Sequence, residues 1–413
     1  MLSASNQTFD NNFVLVATRY NIMTSTTVPI DISTTLESHK SDAYLMVGNS
    51  NNADIYYATR FSASDEFTYI QIKNGKEILL ISDMEKGRAE LESRISDIRT
   101  LQGCDYRSKV KTRQDPGLAY CDCIAEILQK EGARHIAVPR DFPYHIAQTL
   151  KEEGFSIQAL KSPFLQLRAK KDESEIEIVR KVQDACNTAM KAAAEMIRKS
   201  ENVEGILNYC GFALTSEMIR KEIDITLLEH GCEADSTIVA GGKGSANPHW
   251  EGEGPIKADE PVVIDIFPRS KRERYYADMT RTVLNGNPSD KLKDMYDAVL
   301  EAQKAGIEMV KPSVKCSDIH NKVCDVFKER GYDTVREGST VGFIHSTGHG
   351  VGLEIHELPF VGNSDVELEE GNIITIEPGL YYPDVGGIRL EDLILVTADG
   401  HENLTEMEKK FVY

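Results

Sequence analysis

Residues 261–282, PVVIDIFPRSKRERYYADMTRT, read as two β-strands joined by a charged loop. Pro261 to Phe267 is an apolar run broken only by Asp265. Tyr275 to Val283 is rich in β-formers and again holds one carboxylate, Asp278. The pattern places one aspartate near the middle of each strand. A lone carboxylate in a buried strand is costly unless something pairs with it. Two of them brought face to face by a hairpin also repel. A cation between them removes both penalties, and so does a set of core salt bridges; the hairpin by itself admits either.

Working outward, the same logic recurs near the C-terminus. Asn372 to Gly379 is an apolar strand carrying Glu377, Tyr381 to Gly387 reads as the turn, and Ile388 to Val396 returns with Glu391. Two helices precede each hairpin. Ile176, Val179, Ala185, Cys186, Ala189, Met190, Ala193 and Ile197 recur at helical spacing behind a cap at Ser174, and a second helix covers Ser216 to His230 before Gly231. The later pair runs from a cap at Ser289 to Val310, and, after Pro312, from Ser317 to Gly331. Two helix–helix–hairpin units in tandem form a pseudo-repeat of pattern rather than of sequence identity. Between the elements, the glycine-rich loop 241–250 has the wrong spacing for a P-loop and presents His249. Three of the ten histidines, His345, His349 and His356, fall within a glycine-rich stretch of twelve residues.

The first 170 residues have another texture. Residues 1–35 are polar and aperiodic and read as a flexible leader, with Met23 a second candidate start. Ala43–Val47 and Ala53–Tyr57 look like short strands, and Phe67–Ile72 and Glu77–Ile81 flank the hairpin signal Asn74-Gly75. His135–Pro139 reads as a strand, and Pro143–Glu153 as a helix closing at Gly154. Strands alternating with helices indicate an α/β domain over 36–170, with a charged boundary at Arg168–Ser174 and a second domain over 171–413. His39, His135 and His145 stand apart in sequence and read as ordinary surface or core histidines.

At 413 residues the chain is long for one core. The net charge of −19 argues against nucleic acid or an anionic membrane as partner. No apolar run approaches the ~18 residues of a membrane span. The eight cysteines have no metal-like spacing, which suits reduced thiols in a cytoplasmic protein.

With these residues in hand, the C-terminal half resembles the pita-bread metallopeptidases, the family of methionine aminopeptidase, aminopeptidase P and prolidase. The motifs that carry the resemblance are Asp265, the run Asp278-Met279-Thr280-Arg281-Thr282, Gly348 to Glu357, Ile376 to Gly379, and Arg389 to Asp392. The N-terminal α/β domain is similar to the creatinase-like one that aminopeptidase P and prolidase carry. The resemblance implies an α+β pita-bread domain with a pseudo-two-fold repeat, and two divalent ions: Mn or Co, with Fe or Zn as alternatives. It implies that Asp278 and Glu391 bridge the ions, that Asp265 holds one, and that His349 and Glu377 hold the other. It assigns catalysis to His249, His356 and Glu377, and gives His345, Tyr381 and Arg389 places in or beside the site. The activity implied is hydrolysis of the bond between an N-terminal residue and a following proline, on short peptides, by a homodimer.

One departure stands out. The family usually has glycine two residues after the first aspartate, and this chain has Phe267 followed by Pro268. Its loop Arg269–Arg274 is also two residues longer than usual. The basic run reads as a solvated loop, with a subunit interface or a substrate mouth as other readings. Two other functions stay open: a metal-dependent lyase on the same scaffold, and a non-catalytic binding protein, which the complete ligand set disfavours.

Overall fold

The computed structural model describes residues 30–413. Most of the expected leader therefore lies outside the described residues, but its last part does not behave as one. Ile32 is buried and a helix begins at Ser33.

The N-terminal half is built on a six-stranded sheet in the spatial order Asp97–Thr100, Glu77–Ile81, Phe67–Ile72, Ala43–Gly48, His135–Pro139, Ser156–Leu160. The two inner pairings, Glu77–Ile81 with Phe67–Ile72 and Phe67–Ile72 with Ala43–Gly48, are antiparallel, and the strands on both flanks pair in parallel. Leu45 and Val47 enter one apolar cluster and Tyr44 and Met46 the other, so the central strand is covered on both faces. Ala53–Tyr57 is a helix, Ala53–Thr59, and not the expected strand. Asn52 caps it by accepting from the Ile55 N–H at 3.0 Å, and Ala53, Ile55, Tyr56, Ala58 and Thr59 are buried together, which a half-buried strand's alternation would not allow.

The C-terminal half opens with helix Glu173–Arg198, packed on Ser216–Glu229. Its cap is Asp172 rather than Ser174. The Asp172 carboxylate accepts from the Glu175 N–H and the Glu175 carboxylate accepts from the Asp172 N–H, a reciprocal pair that a serine two residues further in does not make. Strands Ile238–Gly241, Val262–Ile266 and Met279–Val283 follow as an antiparallel sheet. The second unit repeats this order. Helices Asp290–Glu308 and Cys316–Glu329 pack together, and Gly348–Gly350, Ile373–Ile376 and Asp392–Val396 pair antiparallel within a five-stranded sheet. Ser289 caps the first of these helices as expected, whereas the second starts at Cys316 with no side-chain cap, so Ser317 lies inside it.

The boundary segment turns out to be a buried joint. Arg168 and Lys171 are both 4% exposed. Arg168 reaches Asp54 of the N-terminal half at 2.6 Å and Glu357 of the C-terminal half at 2.5 Å, and Lys171 donates to Glu357 at 3.0 Å. The basic loop is also less solvated than its composition suggests. Arg269 pairs with Glu233 at 2.6 Å, and Arg274 donates to Asn51 at 2.6 Å; only Lys271 and Arg272 stand out into solvent.

Candidate metal centre

The register of the first hairpin decides which face its acids share. Asp265 is opposite Ile238 on one side and Thr280 on the other. Asp278 lies one residue before the strand that begins at Met279, not in its middle; the Ala277 N–H still bonds its in-register partner, the Pro268 carbonyl, at 3.0 Å, but Pro268 has no N–H to return and the regular ladder stops there. Asp278 and Thr280 are two positions apart, so Asp265, Thr280 and Asp278 all face one way.

The second hairpin is broken where the sequence suggested a continuous strand. Ile373–Ile376 pairs with Asp392–Val396, and Gly379–Tyr382 pairs with Gly386–Arg389. Most of the stretch read as a turn is therefore ladder, and the turn proper is residues 383–385. Glu377 and Glu391 sit at the interruption. Pro378 has no N–H for the ladder. The Glu377 N–H goes to the Thr347 carbonyl at 2.8 Å, and the Glu391 N–H crosses to the Thr280 carbonyl of the first hairpin at 3.0 Å.

Thr280, Arg281 and Thr282 weld the two hairpins together. The Thr280 hydroxyl donates to Glu391 at 2.8 Å and accepts from Arg389 Nε at 3.1 Å. Arg281, 1% exposed, donates to the Glu391 carbonyl at 2.7 Å and to Asp392 at 2.9 Å. The Thr282 hydroxyl exchanges hydrogen bonds with the Arg389 backbone, both at 2.9 Å. Sequence reasoning quoted these three residues as part of a motif but gave them no work; a buried arginine between two threonines on an acid-bearing strand was the available signal.

His349 comes from the other wall. Its Nδ1 lies 3.1 Å from the Gly350 carbonyl, a donor position that leaves Nε2 with its lone pair. Nε2 is 3.6 Å from Asp278 and 3.4 Å from Glu377. The flanking glycines are there for space, since a Cβ at Gly348 would stand 1.9 Å from the Thr375 carbonyl and one at Gly350 2.2 Å from that of Leu358. Asp278, His349 and Glu391 bring ligand atoms within 4.8 Å of one another and form a group able to hold a metal ion.

The remaining expected residues, apart from the buried Tyr381, line with this group a cleft of about 890 Å³. Arg389, fully buried, donates to Asp265 Oδ2 at 2.5 Å and to the Tyr381 hydroxyl at 2.9 Å, and His345 Nε2 lies 3.1 Å from that same hydroxyl. The His356 ring meets the His349 ring edge-on at 4.4 Å. His249 faces the cleft from its loop, beside Pro248, whose carbonyl is 3.4 Å from Arg389.

The electrostatics call for a cation. Burial, and then repulsion from Glu391, Asp265 and Glu377, push the Asp278 carboxyl well above its usual range. Burial, and then Glu377 and Asp265, do the same to Glu391. Burial raises Glu377 as well, with His345 and Arg389 opposing it. Burial lowers His345, His349 and His356, keeping them neutral near pH 7. Burial pushes the Tyr381 hydroxyl up to about 12, so it stays protonated. Asp265 Oδ1 is buried with no hydrogen-bond partner among the described residues. An orphaned carboxylate oxygen, two repelled acids and a neutral imidazole with a free lone pair fit a hard divalent ion.

Residues 177–398 match the profile of metallopeptidase family M24. Over 289 residues, 68% of this chain and 76% of the relative, the sequence is 33% identical to an Xaa-Pro dipeptidase of Pyrococcus horikoshii. The prolidase from Pyrococcus furiosus superposes with a TM-score of 0.75 at 27% identity, covering 91% of this chain and all of that one. An X-Pro aminopeptidase from Thermotoga maritima superposes with a TM-score of 0.76 at 26% identity, covering 93% of this chain and all of that one.

Proposed function

This chain belongs to metallopeptidase family M24 and has the pita-bread fold, and we propose that it is a dinuclear-metal peptidase that cuts between an N-terminal residue and a following proline. The observation that carries this reading is the convergence of Asp278, His349 and Glu391 beside the orphaned Asp265 Oδ1. The names of its relatives, an Xaa-Pro dipeptidase and an X-Pro aminopeptidase, support the proline preference.

In this reading Asp265, Asp278, His349, Glu377 and Glu391 hold two divalent ions, Mn or Co before Fe or Zn. Four carboxylates bring about −4 of charge for two dications to balance, and a single imidazole among oxygen donors suits those metals. Bound divalent ions supply Lewis acidity, lowering the pKa of water and polarising a carbonyl. His249 and His356 donate to the substrate carbonyl oxygen and to the charge that develops on it. Glu377 takes a proton from the attacking water and passes it to the departing proline nitrogen. Arg389 holds one oxygen of Asp265 and so presents the other inward, and Tyr381 and His345 keep the guanidinium in place. The division at residue 170 into an N-terminal and a catalytic domain belongs to the same reading. So does a cytoplasmic location, which the eight unpaired thiols suit. Among the described residues no helix is long and apolar enough to cross a membrane. The homodimer rests on the family resemblance alone.

The test is release of the first residue from Ala-Pro, Ala-Pro-Ala-Ala and Ala-Ala by protein reconstituted with Mn or Co. Cleavage of the dipeptide alone makes the chain a dipeptidase, and cleavage of the tetrapeptide at its first bond makes it an aminopeptidase. Equal cleavage of Ala-Ala removes the proline preference. No cleavage with metal bound sinks the peptidase reading and moves the case to a lyase. Purification without stoichiometric metal, with partner binding that survives chelator, points to a binding protein.

A further inference from the structure

We infer that Phe267 and Phe360 form an apolar seat for the side chain of the substrate's first residue. Phe267 is two residues beyond Asp265, so its ring shares the face that carries the acids. The strand register, continued by one pair from Ile266–Met279, sets Phe267 beside Asp278. Continued by two residues from the Ile238–Asp265 pair, it sets Ser236 on the other flank. Phe360 immediately precedes Val361, which pairs with Gly348 on the strand that carries His349, and Phe360 and His349 line the same cleft. Asp278 and His349 are themselves 3.6 Å apart. Both rings thus line the cleft that holds the acid–imidazole group.

Neither ring has been used by the fold. Phe360 is 49% exposed, and Phe267, only half-buried, packs into none of the hydrophobic clusters of the described residues. A large apolar surface left open beside a polar centre marks a place where something apolar docks. The chemistry of the centre says which part of a peptide that is. A peptidase acting at the amino end must set the substrate's α-ammonium group against the carboxylates. The first side chain, one bond further on, then falls next to Asp278 and His349. The opposite wall, with Arg389, Tyr381 and His345, is polar and suits the leaving side of the bond. The ligand class is a peptide whose first residue is branched-apolar or aromatic.

The inference rests on the peptidase reading of the site, and its test separates the two. The specificity constant kcat/KM is measured for Leu-Pro, Gly-Pro, Leu-Ala and Gly-Ala with the wild type, Phe267→Ala, Phe267→Leu and Phe360→Ala. Metal content is determined for each protein, and calorimetric binding of free leucine and glycine gives a readout without turnover. Phe267→Ala is expected to lower the Leu-to-Gly ratio about tenfold in either peptide series, with Phe267→Leu restoring most of it. Phe360→Ala is expected to lower the same ratio, which keeps the test alive should Phe267→Ala fail to fold. A ratio that stays the same or rises in the alanine variants, or a wild type that binds leucine no better than glycine, overturns the inference. If the wild type treats Leu-Pro and Leu-Ala alike, only the proline preference falls, because the Leu-to-Gly ratio is still read.

Discussion

Replacing Thr280 by valine tests whether the two hairpins are tuned to each other for metal. Valine keeps the shape of this fully buried side chain and removes only the hydroxyl, so no cavity opens. That hydroxyl donates to Glu391 at 2.8 Å and accepts from Arg389 at 3.1 Å. Arg389 keeps Asp265, Tyr381 and the Pro248 carbonyl through its two Nη atoms, and its Nε–H loses the Thr280 acceptor whether or not metal is bound, so the metal-dependent part of the loss falls on Glu391. A hydrogen bond to a charged group contributes about 2 kcal/mol, equivalent to about 30-fold in an equilibrium constant. Without a cation, burial and neighbouring acids favour protonated Glu391, to which the Thr280 donor matters less. The loss should therefore appear mainly in the metal-bound form. The assay is a Mn titration followed by thermal unfolding with metal and with chelator. The expected result is metal affinity weakened by about 30-fold and a smaller gap between the two unfolding temperatures, with Thr280→Ser close to wild type. Equal destabilisation of both forms at unchanged metal affinity would refute the reasoning and leave Thr280 as ordinary core.

Asp278→Ala should abolish peptide hydrolysis and lower the metal content measured by mass spectrometry; full activity in this variant would remove Asp278 from the centre. His356→Ala should leave metal in place and cut turnover by about 10²-fold, as loss of one donor to developing charge does, and unchanged kcat would take His356 out of the reaction. Glu357 should contribute a pH-dependent part of stability. Burial opposes its ionisation, but Lys171 and Arg168 outweigh burial and hold it below its usual value of 4.5. A folded-state pKa below the unfolded one gives stabilisation that is present above about pH 4.5 and is lost as the pH falls through the lower, folded value. Glu357→Gln should therefore cost about 3 kcal/mol at pH 7, by leaving buried cations short of a partner, and flatten acid unfolding below pH 4.5. Parallel acid-unfolding curves for the two proteins would exclude Glu357 as the titrating group.

The candidate donors were legible from the sequence because each violates its surroundings. Asp265, Asp278, Glu377 and Glu391 interrupt apolar strand patterns, and His349 sits between glycines. Such violations survive in a chain only where something offsets them, and a cation offsets several together. The pairing of helices before each acid-bearing hairpin was visible for a related reason: helical and strand periodicities differ, and the order repeats. The misread elements were those set by single hydrogen bonds. Ala53–Thr59 is helical because Asn52 caps it, the first helix of the C-terminal half starts from Asp172 because Glu175 answers it, and the second hairpin breaks where Pro378 lacks an N–H.

What the sequence determined by itself was the inventory: four acids, their order along the chain, and the histidines near them. Only the tertiary structure decided how they meet. Glu391 faces Asp278 because Thr280 and Arg281 pull one hairpin onto the other, and the joint at Arg168 and Lys171 is buried because its cations find Asp54 and Glu357, 114 residues before and 189 residues after Arg168. Periodicity and spacing report what each segment does with its own neighbours. Contacts between residues more than a hundred positions apart leave no local pattern, because the groups that satisfy them are brought together only by folding.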